Sequence, residues 1–191
     1  MLAVVDPDLK LLQVLQGLVD DAVIGHPFDG GLAVTAGPVG QLHVHPKVGE
    51  EGGVFPPLPV RQWVLSVPKR LRWYLEREPR ILSAVLHIFL SVIETHFRQA
   101  SAALAPHAQL GAVSFIHRFG ASLNRHVHFH CCVIDGVFEP AEEADDAGPQ
   151  AVRFRAAADL TLEAVAAIAE QVRIRLLRWF ALSGLIEPDD V

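Results

Sequence analysis

The sequence predicts an α+β fold, an antiparallel sheet with helices packed on one face. Three observations predict it: short β-branched and aromatic runs closed by turn formers, two long stretches with helical spacing of apolar residues, and the order in which they occur. Val60 to Val67 (VRQWVLSV) reads as a strand closed by Pro68. A helix follows, with Pro79 in its first turn and Leu82, Val85, Leu86, Phe89, Val92, Ile93 and Phe97 on one face, ending near Ala100. Gly111 to Phe119 is a second strand, Gly120 to Asn124 a tight turn, and His126 to Asp135 a third strand, so these two form a hairpin. After Asp135-Gly136, the acidic stretch Glu139 to Gln150 reads as a solvated loop and Ala151 to Arg155 as a short strand. A last helix lines up Leu162, Val165, Ala169, Val172, Leu176 and Trp179, with Thr161 able to cap it and Gly184 to end it.

The first 54 residues differ in texture. Gly and Pro recur from Gly25 to Pro57, and only Leu9 to Val19 suggests a helix, so residues 1–54 are a poorly defined segment and 55–191 the principal domain. Cys131 and Cys132 are adjacent, cannot bridge each other in the ordinary way, and fit a reducing, cytoplasmic setting. No apolar run approaches the roughly 20 residues that a membrane span needs, and Met1 to Asp8 lacks the basic flank of a signal peptide.

The net charge of -6 argues against a nucleic-acid partner until its distribution is read. Residues 1–57 hold 2 basic and 7 acidic side chains, 58–135 hold 9 and 4, and 136–191 hold 5 and 11. The one basic third carries the histidines, where a polyanion would dock.

In HVHFHCCV, residues 126–133, the strand period sends His126, His128 and His130 to one face and Val127, Phe129, Cys131 and Val133 to the other. Imidazoles two residues apart on a strand lie roughly 7 Å apart at the backbone and can converge on one cation. The same pattern also describes an exposed polar sheet face with no metal, or part of a cupin-like or carbonic-anhydrase-like zinc site. His117, on the preceding strand, is the best further ligand, ahead of Glu94 and His96 on the long helix. Cys131 and Cys132 point to opposite faces and read as packing residues. His43 and His45 share the spacing, but Pro46 follows at once and no strand pattern surrounds them.

The block GAVSFIHRFGASLNRHVHFHCCVIDGVF, residues 111–138, resembles the core of rolling-circle insertion-sequence transposases, the tyrosine-HUH transposases that include common-region elements. PLPVRQWVLSVPKRLRWYLEREPRILSAVLHIFLSVIETHF upstream and LTLEAVAAIAEQVRIRLLRWFALSGLI downstream are similar to the family's flanking strand and helices, so the resemblance spans about 55–190. It implies an HUH-nuclease core of ferredoxin or RRM-like type, with His128, Phe129 and His130 as the histidine-hydrophobe-histidine triplet and His117 as third ligand. It also implies a divalent cation, Mg2+ or Mn2+, with single-stranded DNA at transposon ends as the partner. Arg118 and Arg125 are then the candidate DNA contacts, and a homo-oligomer is an open option. The family's nucleophilic tyrosines lie beyond the histidine strand, whereas Tyr74, upstream, is the one tyrosine here and reads as a packing residue. The family's cysteine-rich module has no counterpart in residues 1–54. Both absences imply an incomplete copy, so a non-catalytic metal or DNA binding module and an inactive remnant stand beside the transposase reading.

Overall fold

A computed structural model describes residues 3–4, 33–38, 58–101, 107–120, 123–140 and 152–187. Within them the chain forms β1 (Ala3–Val4), β2 (Ala33–Pro38), β3 (Val60–Ser66), α1 (Lys69–Arg77), α2 (Pro79–Ala100), β4 (Gln109–Phe119), β5 (Arg125–Pro140), β6 (Val152–Ala156) and α3 (Leu162–Leu182). The strands make one sheet in the order β1-β4-β5-β3-β2, with β6 on the far end of β5. All described pairings are antiparallel except the two-residue β1, which runs parallel to β4. This is the expected α+β fold. The helix suggested for Leu9 to Val19 and the pair His43 and His45 lie outside the described residues.

Alternation along the strands sorts the side chains into two layers. Trp63, Leu65, Val127, Phe129, Cys131 and Val133 point into one core with Leu71 and Leu75 of α1, Val85, Phe89, Ile93 and Phe97 of α2, and Val172, Leu176 and Phe180 of α3. Phe129 is fully buried at its centre, and each such side chain stabilises the fold by roughly 1.5–3 kcal/mol. On the opposite face Val60, Val113, Phe115, Cys132 and Ile134 form a smaller apolar cluster. The histidine face is therefore polar only along the half of β5 that begins at His126.

Four expectations are corrected. The residues after β3 form two helices, because Glu78 is extended at φ -116, ψ 99 and Pro79 starts α2 afresh. In α3 the buried stripe is Ile168, Val172, Leu176, Leu177 and Phe180, while Leu162 is exposed. Val172 and Leu176 keep their place, while Ile168, Leu177 and Phe180 carry the burial expected of Val165, Ala169 and Trp179, which are only partly covered. At its end Gly184 adopts φ +67, and Leu185 N–H reaches the Phe180 carbonyl while Gly184 N–H reaches that of Ala181, a Schellman closure.

The third correction concerns the end of the histidine strand and the start of the expected loop: β5 runs past Asp135 to Pro140, and Glu139 is buried rather than solvated. Arg61 donates through Nε and Nη2 to both Asp135 oxygens at 3.0 and 2.9 Å, which keeps that charge within the sheet. Gly136 lets β6 approach, since a Cβ there would collide with the Arg155 carbonyl oxygen and the Phe154 ring. Glu139 is answered by Arg155 Nε at 2.5 Å.

Fourth, α2 is long and apolar enough to cross a membrane by length and composition, although charged and polar residues break its apolar run in the sequence. Its eight buried residues pack on the sheet, as those of a core helix do. The segment before residue 55 also contributes to this fold. β2 pairs antiparallel with β3, and Val34, opposite Leu65, enters the main core.

Candidate metal centre

The central position of β5 creates the site. His128 has His117 of β4 as its Cα partner on one side and Ser66 of β3 on the other; His130 lies between Phe115 and Val64. Because odd residues of β4 and even residues of β5 share a face, the His117 ring meets both β5 rings. Centroids are 4.9 Å apart for His117 and His128, 4.3 Å for His117 and His130, and 5.0 Å for His128 and His130. One ring nitrogen from each lies within 4.8 Å of the others, so the three could hold one ion. His126 is next to this group, 5.0 Å from His128 ring to ring, and outside the triad.

Second contacts set the tautomers. His128 Nδ1 is 2.8 Å from the His126 carbonyl oxygen; a carbonyl only accepts, so Nδ1 carries the proton and the Nε2 lone pair is left for a ligand. Gln62 Nε2 lies 2.9 Å from His130 Nδ1. A half-turn of this amide would present Oε1 instead, let Nδ1–H donate to it, and free Nε2 of His130 in the same way. Ser66 Oγ is 2.9 Å from His126 Nε2.

All four histidines are held below their ordinary pKa, which keeps the imidazole lone pairs unprotonated at pH 7. His130 is pushed down to about 3, first by burial and then by His117 and His128. Burial also leads for His117, assisted by His128. For His128 burial is followed by the opposing bond to the His126 carbonyl and then by the charge of Arg72. Burial and then Arg72 and His128 lower His126.

The other candidates lie elsewhere. Glu94 accepts from Leu110 N–H at 3.3 Å and pairs with Arg98 at 2.9 Å, and neither it nor His96 joins the triad. Arg118 is exposed beside His117. Arg125 is exposed and pairs with Glu76 of α1 at 3.6 Å. Tyr74 packs beside Phe180 and donates its hydroxyl to the Leu185 carbonyl at 2.7 Å, on the helical side of the sheet. Gln62, Ser66 and Arg72 escaped the sequence reading. The alternation of β3 marks Gln62 and Ser66 as sharing a face, but not that this face adjoins the histidines.

The two cysteines are fully buried and their thiols are raised, chiefly by burial, to about 12 for Cys131 and about 11 for Cys132. Ser114 Oγ donates to Cys131 Sγ at 3.1 Å. Both thiols should therefore resist a disulfide reagent at neutral pH in the folded chain and react promptly in denaturant. Rapid reaction of either one in the native state would contradict their placement.

No curated protein and no solved structure matches the chain at a significant level. Residues 111–185 match the family model described as "Putative transposase". This span, similar to a transposase domain, contains His117, His128 and His130.

Proposed function

We propose that the chain is the metal-dependent core of an HUH-type transposase that acts on single-stranded DNA in the cytoplasm, with His117, His128 and His130 holding the divalent cation. The observation that carries this reading is the convergence of three imidazoles on the sheet face opposite the helices, inside the segment that matches the transposase family. The donor set fits a cation, since burial keeps the rings neutral and the His126 carbonyl orients His128. Nitrogen donors without a carboxylate suit Mn2+ better than Mg2+. When bound, the ion would act as a Lewis acid on a phosphate oxygen of the DNA. The protein's part is to fix the ligand rings and to present, from residues 58–135, the basic third of the chain to the strand.

A second reading, a non-catalytic metal and DNA binding module, is favoured by Tyr74. Its hydroxyl is engaged with Leu185 on the helical side, so no tyrosine of these residues stands at the site. Nicking would then use water, and strand transfer would need a nucleophile from outside these residues.

Fluorescence anisotropy with a labelled single strand and the matching duplex tests both. Mn2+ should tighten binding of the single strand by about 10-fold over chelator, and the double variant His128→Ala, His130→Ala should lose that increment. Metal-independent binding, or preference for duplex, would sink the proposal. Manganese-dependent nicking of the strand separates the catalytic reading from the binding module, and a covalent DNA adduct on Tyr74 would contradict its structural role.

A further inference from the structure

We propose that Arg72 is a phosphate-binding residue on the rim of the histidine triad, gripping a non-bridging oxygen of the DNA strand beside the phosphate that faces the metal. The inference rests on the metal-dependent reading above and adds to it the residue that would hold the neighbouring backbone.

Its place follows from the sequence. Leu71 and Leu75 of α1 are buried in the main core, so Arg72, one residue on from Leu71, leaves that core and turns back toward the end of β3. There its Nε donates to the Val67 carbonyl at 2.8 Å. Val67 directly follows Ser66, the Cα partner of His128, whose Oγ contacts His126 Nε2. One hydrogen bond thus anchors the guanidinium beside the two rim histidines and leaves its terminal nitrogens as donors of the kind that pair with phosphate.

The charge balance fits an anion. Ser66, which contacts His126, directly precedes the Val67 whose carbonyl holds Arg72. Glu76, one turn along α1, faces Arg72 and also pairs with Arg125. Arg72 and Arg125 share the Glu76 carboxylate, so positive charge is in excess among the described groups of this rim. Arg125, exposed and paired with Glu76, fits a supporting part in this cluster.

Single-strand binding by Arg72→Gln and Arg72→Lys, titrated with NaCl and measured with Mn2+ and with chelator, tests the assignment on the full chain. R72Q should weaken binding about 10-fold at low salt and reduce the salt slope by about 0.7, the value for one phosphate contact on a single strand. R72K should keep the slope and lose about 3-fold in affinity, because it preserves the charge without the fork. Calorimetric Mn2+ affinity should stay within about 2-fold of the parent chain in both. An unchanged slope in R72Q would overturn the proposal and leave Arg72 as a structural clasp on Val67. If R72Q does not fold, R72K binding as tightly as the parent would overturn it. Loss of the Mn2+ increment in the parent chain strikes the metal reading instead, while the slope difference in chelator still judges Arg72.

Discussion

His130→Ala should lower the affinity of the chain for Mn2+ by more than about 100-fold, since losing even an outer-shell partner typically costs about 10- to 100-fold and His130 is a direct ligand candidate. His130 is the most buried of the triad and stacks on His117 with centroids 4.3 Å apart. No other described side chain can take its place, because Phe115 and Val64 flank it in the sheet. His126→Ala should stay within about 3-fold, although it shares the strand face and the spacing, because its ring bonds Ser66 and stands outside the triad. Isothermal titration calorimetry on the metal-stripped chain distinguishes the two. If His126→Ala abolished binding and His130→Ala did not, the metal would sit one pair further along β5 and the triad would be wrong. His130→Ala also leaves the Gln62 amide buried without its partner, a cost of about 1–3 kcal/mol to the apo fold, so folding of the variant is checked alongside.

That contrast shows how far the sequence carries. Period-two alternation placed His126, His128 and His130 on one face of β5 and left them equivalent. The structure separates them: His117 sits opposite His128, the register shift beyond His117 falls on the His126 side, and His126 bonds Ser66, so His117 meets His128 and His130 instead. The hairpin was legible because β4 and β5 are joined over a few residues, with Gly120 N–H donating to the Asn124 carbonyl, which made His117 a reasonable third ligand. Gln62, Ser66 and Arg72 were not legible: β3 reaches β5 across two helices and a strand, and such pairing over more than sixty residues leaves no local mark. The true end of β5 was not legible for the same reason: Asp135 is held by Arg61, 74 residues away, and β6 approaches closely at Gly136, so the strand runs past its expected end. Helix faces were read in outline, with α2 placed well and α3 only at Val172 and Leu176, because periodicity gives a stripe without fixing which of its edges the core covers.

The same burial that readies the triad for a cation should make the apo chain acid-labile. His130 has a folded pKa of about 3 against an ordinary 6.5. The unfolded chain therefore takes up a proton below pH 6.5 that the folded chain refuses until about pH 3. Stability is intact above the unfolded value and is lost as pH falls through this window. The shift corresponds to roughly 4–5 kcal/mol by the time pH 3 is reached, as an order of magnitude, at about 1.4 kcal/mol per unit. His117, His126 and His128 are lowered too and add in the same direction. Urea unfolding of the metal-free chain between pH 7 and pH 4 should show this loss, and a His130→Gln variant, with no titrating ring at that position, should show a shallower one. Saturating Mn2+ should raise stability at pH 7 and make its fall with acid steeper, because protons and metal compete for the same lone pairs. A flat profile in the apo protein would mean that the rings accept protons where they stand, and a site that tolerates protonation so readily has not been prepared by its surroundings to hold a metal.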